Sequence, residues 1–96
     1  MNAITTTVRL SAQQRQLAGG KVAVVDVPPG ATVADLLQAL NRAYPPLGAR
    51  ILDENGQLNA GIQMLIDGRH IDFLQGPDSP VEQARDLMLI PPISGG

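Results

Sequence analysis

The chain has 96 residues, 44% of them hydrophobic, and nine acidic against seven basic residues leave a net charge of −2. That length fits one domain with one modest core, burying about two thirds of the surface the unfolded chain exposes, and no apolar run approaches the roughly 20 residues of a membrane span. There is no basic stripe to neutralise phosphates, only Tyr44 and Phe73 could stack on bases, and without cysteine there is no disulfide or thiolate chemistry.

The opening "MNAITTTVRL" has no charged segment followed by an apolar one, so no secretory signal is read and the expected compartment is the cytoplasm. Within it, Ile4, Thr6, Val8 and Leu10 alternate on one face, the period of a half-buried strand. A loop over Ser11–Ala18 and a turn at Gly19-Gly20 lead to the β-branched run Val22–Val27, a second strand completing a hairpin. Thr32 followed by Asp35 is a capping-box pattern, in which hydroxyl and carboxylate each satisfy an orphan backbone N–H. Val33, Leu36, Leu37, Leu40 and Tyr44 then recur at helical spacing, and Pro45-Pro46 ends the segment, which predicts a helix over Val33–Ala43.

"LDENGQLNAG" reads as a polar loop. In "IQMLIDGRHI", Ile62, Met64 and Ile66 share one strand face and Gln63 and Leu65 the other, with Asp67-Gly68 as a tight turn. "QGPDSPVEQARD" is loop or a short helical turn. "DLMLIPP" is the last strand, with Leu87 and Leu89 on one face and Met88 and Ile90 on the other. A hairpin, a helical crossover and later strands make an α+β layer arrangement, a mixed sheet of four to five strands with one main helix across it. Residues 1–90 are expected to form the domain and 91–96 a flexible tail.

That tail is the most informative stretch. Pro91 and Pro92 favour an extended conformation of about 3.1 Å per residue, so the end can stand some 15–20 Å clear of the sheet. Gly95 and Gly96 have no Cβ and can enter a slot too narrow for side chains, delivering an α-carboxylate. At a pKa of about 3.5 that group is ionised and a poor electrophile. To react it must be activated, most simply as an acyl-adenylate.

"TVADLLQAL" (32–40), "LIDGRHI" (65–71) and "LMLIPPISGG" (87–96) together resemble the MoaD/ThiS-like sulfur carriers, and the middle segment is closest to the carriers of cysteine biosynthesis. Where many members have Asp-Gly-Asp before the last strand this chain has "QARD", keeping an acid at Asp86. The resemblance implies a ubiquitin-like β-grasp fold. It also implies a protein that is a co-substrate and not an enzyme, with no permanently bound cofactor. A partner related to ubiquitin-activating enzymes would use ATP to adenylate Gly96. A sulfur donor, often a persulfide, would displace AMP to leave a thiocarboxylate. A synthase would then accept the sulfur for cysteine or another metabolite. Two alternatives share that first step: the small subunit of molybdopterin synthase, and a modifier joined through Gly96 to a lysine of another protein. The single lysine, Lys21, restricts self-conjugation.

The resemblance also places an apolar docking patch at Leu65, Met88 and Ile90. Pro91, Pro92, Ile93 and Ser94 would be gripped as the tail is threaded. Other polar residues carry less. His70 is expected to be a solvated residue beside the turn, and Asp53, Glu54 and Asp67 lack the spacing of a calcium loop. Gly19-Gly20 opens no helix and so is not a phosphate loop. Arg9, Arg50 and Arg69 are candidates to meet acidic groups on a partner.

Overall fold

The structure, a computed structural model, describes residues 2–92. Strands β1 (Ile4–Arg9) and β2 (Val22–Val27) pair antiparallel from Ile4–Val27 to Arg9–Val22, as the alternation predicts. Between them the expected loop is helical: α1 spans Ala12–Ala18. Ser11 precedes it, and its N–H donates to Gln14 Oε1 at 3.0 Å. Gly19, with φ +81°, closes its end by donating to the Arg15 carbonyl. Few apolar residues mark this helix, because it buries chiefly Gln14 and rests on Leu17 and Ala18.

Helix α2 (Val33–Ala43) has the predicted bounds and the predicted cap, with Thr32 N–H donating to Asp35 Oδ2 at 2.9 Å and Asp35 N–H to Thr32 Oγ1 at 3.4 Å. Val33, Leu36, Leu37, Ala39 and Leu40 are buried. Tyr44 packs half-buried against the core, and its hydroxyl accepts the Val24 N–H at 3.1 Å and donates to the Val24 carbonyl at 3.4 Å, at the outer edge of β2. The two prolines end α2 and also begin α3 (Pro45–Ile51), where Pro45 at the first position needs no N–H partner. A Cβ at Gly48 would lie 2.8 Å from Asn41 Cα, so the bare glycine lets α3 cross close over α2.

β3 (Gln63–Ile66) and the short β4 (Arg69–His70) form a hairpin through Asp67-Gly68. Two 3₁₀ turns, Ile71–Phe73 and Gly76–Asp78, follow. The loop beyond them is tied to the start of α2, Val33 N–H donating to the Ser79 carbonyl and Val81 N–H to that of Ala31. β5 (Leu87–Ile90) completes a mixed five-stranded sheet in the order β2-β1-β5-β3-β4. One core joins α2 and α3 to the inward sheet residues Val8, Val25, Val27, Met64, Ile66, Leu87 and Leu89.

Candidate functional site: the last strand and the root of the tail

β5 lies at the centre of the sheet, parallel to β1 (Arg9 opposite Met88) and antiparallel to β3. Its register pairs Leu65 with Met88 and Gln63 with Ile90, which brings the three residues of the predicted patch together: Leu65 is directly opposite Met88 and diagonal to Ile90. All three are half-buried, so each meets water with only part of its side chain. A side chain on a central strand has paired neighbours on both sides. The same pairing continues across the open face as Val22, Arg9, Met88, Leu65 and His70, one residue from each strand. Among the described residues the most exposed large apolar one is Phe73, at 86%, edge-on to His70 with ring centroids 6.2 Å apart.

Polar groups fix the start of β5. Asp67, at φ +52°, accepts the N–H groups of Arg85 and Asp86 on Oδ1 at 2.8 and 2.9 Å, and its own N–H donates to the Asp86 carbonyl. Arg9 donates to both Asp86 oxygens, each at 2.7 Å, a bidentate pair from β1 to the entry of β5. Those bonds raise the Arg9 pKa and hold the Asp86 carboxyl below the ordinary carboxylate value. One expectation changes here: Arg9, a candidate for a partner's acidic group, is engaged within the chain. Asp67 is a structural acceptor, and Asp86 keeps its acid before β5 without the glycine. Asp53 likewise organises its own turn, accepting the N–H groups of Asn55 and Gln57. His70 is a half-buried strand residue, Nδ1 lying 3.8 Å from Asp72 Oδ2, and not a solvated loop residue.

Shape fixes the end of β5. Pro91 is half-buried and Pro92 exposed. They line two surface depressions, one walled by Arg50, Asn59, Ala60 and Ile62 and the other by Ser11 and Ala12, Gln13 bordering both. Asn59 secures the first wall, its side chain donating to the Arg50 carbonyl and its N–H to that of Ile51. Gly61, at φ +87°, presses on the tail so closely that a Cβ there would be 2.8 Å from Pro92 Cβ. This wall was missed in the sequence, where "NAG" is one polar-loop fragment among several. The expected tail residues Ile93, Ser94, Gly95 and Gly96 lie outside the described residues.

Among the described residues no three His, Asp or Glu side chains gather to hold a metal, and no helix is long and apolar enough to cross a membrane. The chain matches the model described as the ThiS family over residues 8–96. It belongs to the ThiS family. This ThiS-family chain is 35% identical over 88 residues to small archaeal modifier protein 1 of Haloferax volcanii, covering 92% of this chain and 97% of that one. The crystal structure of the Haloferax protein superposes with a TM-score of 0.81 at 32% identity, covering 97% of this chain and all of the other. The BexX/CysO complex of Amycolatopsis orientalis contains a chain of the same fold, with a TM-score of 0.76 at 24% identity over 94% of this chain and 98% of that one. The fold is thus the β-grasp of ubiquitin-like sulfur carriers, with α2 across the sheet and β5 in its middle. In this ThiS-family chain, the described residues build a scaffold around the strand that leads into the tail, with Leu65, Met88 and Ile90 together on its open face.

Proposed function

We propose that the protein is a sulfur carrier whose Gly96 carboxylate is adenylated by an activating enzyme and converted to a thiocarboxylate. The observation that carries this reading is the junction at Ile90. A strand paired on both sides passes there into two prolines and a terminal Gly-Gly, so a rigid body is joined to a thin presentable end.

The carboxylate attacks the α-phosphate of ATP, releasing pyrophosphate and leaving an acyl-adenylate. The terminal sulfur of a donor persulfide then attacks the acyl carbon and AMP departs. A thiol splits the resulting acyl disulfide, freeing the thiocarboxylate while that thiol is oxidised to a disulfide with the donor. A synthase accepts the sulfur for cysteine or another sulfur metabolite. The chain is a co-substrate throughout, and ATP is bound by the partner. Leu65, Met88 and Ile90 form the docking face, and Pro91 to Ser94 are gripped in the channel that Gly95 and Gly96 enter.

A second reading is favoured by the name of the Haloferax relative: conjugation of the activated Gly96 to a lysine of another protein. Both outcomes follow from one adenylate. An intact mass of the protein taken from its own host, with Gly96 left untagged, separates them when combined with C-terminal fragmentation. Exchange of one oxygen for sulfur at Gly96 is the expected result; fragmentation is needed because oxidation of a methionine adds nearly the same mass. Gly96 found only in isopeptide linkage would favour the modifier. An unchanged Gly96, even after incubation with ATP, adenylating enzyme and persulfide donor, would sink the carrier reading and leave the modifier or a plain interaction domain.

A further inference from the structure

We infer that Gly61 is a positioning residue for the carboxyl tail: its missing side chain seats Pro92 and so sets the direction in which the chain leaves the domain. The inference rests on the carrier reading, in which that carboxylate is the reacting group.

Several glycines have positive φ, including Gly30 at +78°, Gly61 at +87° and Gly68 at +81°. At Gly30 and Gly68 an added Cβ would meet nothing within 4 Å, so backbone conformation alone accounts for the glycine. Gly61 has a second reason. Its Cβ would stand 2.8 Å from Pro92 Cβ and 3.5 Å from Pro92 Cα. The obstructing atom belongs to a pyrrolidine ring, which cannot rotate away as a flexible side chain would. A side chain at Gly61 therefore displaces the backbone at the root of the tail.

The wall that carries Gly61 is itself fixed. Asn59 is bonded to the backbone of α3 through side chain and N–H, Ile62 N–H donates to the Asn59 carbonyl at 3.0 Å, and Ile62 packs on the core. The direction of Pro92 is thus referred to the folded domain through a short chain of contacts. Each tail residue already oriented is one fewer to be ordered when the carboxylate enters an active site. A misplacement of about 1 Å can lower a rate by up to about 100-fold. Gly61 itself belongs neither to the proposed docking face nor to the gripped tail residues, so its effect on aiming is separable from docking.

Four proteins with native C-termini test this: the unchanged chain, Gly61→Ala, Gly30→Ala and Pro92→Gly. Gly30→Ala imposes similar left-handed strain without touching the tail. Nuclear Overhauser contacts between Gly61 and the Pro92 ring report the seat directly, and ATP–pyrophosphate exchange with the host's adenylating enzyme reports presentation of Gly96. Gly61→Ala is expected to lose stability as Gly30→Ala does, and to lower kcat about tenfold while the KM for the carrier stays unchanged. Gly30→Ala should keep the normal kcat. A merely structural role would instead act through the folded fraction and move the apparent KM. Pro92→Gly opens the same contact from the other side without a clash and should lower kcat with KM unchanged, which decides the matter if Gly61→Ala does not fold; a rise in KM would instead report a lost contact with the partner's channel and overturn the inference. Wild-type kcat in either folded tail variant overturns the inference. If the unchanged chain supports no exchange at all, the carrier reading fails instead, and absence of the Gly61–Pro92 contact in its spectrum would then remove the inference as well.

Discussion

Leu87 and Leu89 point from β5 into the core and are 3% and 0% exposed, whereas Met88 and Ile90, the alternate residues of the same strand, stand half-buried on the open face beside Leu65. Composition does not distinguish the two pairs; the two-residue period of the strand does. The inward pair holds the sheet against the helices. Among the described residues no layer packs over the outward pair, which therefore contributes less to stability. One strand thus has a packed face and a half-exposed apolar face, the latter the one proposed for docking. Its exit, at Gly61 and Pro92, aims the tail.

The largest expected effect comes from erasing the inward face. Leu89→Ala leaves a cavity at a fully buried site and should cost about 2–5 kcal/mol, measured by urea unfolding followed by circular dichroism. A loss well under 1 kcal/mol would mean that β5 is not anchored in the core. On the outward face, Met88→Ala or Leu65→Ala should cost less than about 1 kcal/mol in the same assay. Recognition should respond in the opposite order. The Met88→Ala and Leu65→Ala proteins should raise the KM of the adenylating enzyme for the carrier about tenfold, the effect of removing an anchor from a docking surface. Equal KM values in all three proteins would remove the docking role from this face. A shift in kcat alone would assign these residues to aiming the tail.

Legibility in the sequence follows the same division between local and distant causes. α2 could be bounded to the residue because its cap, its stripe and its terminating prolines all lie within one local segment. The β1–β2 hairpin and the alternation of β5 were readable for the same reason. α1 was not read because helices are recognised by apolar periodicity, and this one buries a glutamine; the Ser11–Gln14 pair was the available signal, a capping box with Gln in the third position. α3 was hidden by the prolines, which were read as an end although they are equally suited to a beginning. Gly61 against Pro92, and Arg9 with Asp86, depend on chain segments that only the completed sheet brings together. The half-burial of the docking residues likewise needed the strand order, since a central and an edge strand can carry the same residues.

The smallest expected effect concerns the Arg9–Asp86 pair, and its direction is fixed by linkage. The hydrogen bonds from Arg9 hold the Asp86 pKa below its ordinary value, so the folded protein favours the ionised carboxylate more than the unfolded chain does. The stabilising contribution is complete above the unfolded carboxylate pKa of about 4 and is lost as pH falls below it through the lowered folded value. Both side chains face solvent, at 55% and 40% exposure, so the contribution is small and is screened by salt. Asp86→Asn should therefore unfold at slightly lower urea than the unchanged protein near pH 7, with the gap closing toward about pH 2 and narrowing in high salt. A gap that persists unchanged in acid would show that Asp86 stabilises the entry to β5 through its backbone turn and not through its charge. Asp67, whose carboxylate receives the two N–H groups of that turn, would then be the group on which the placement of β5 depends.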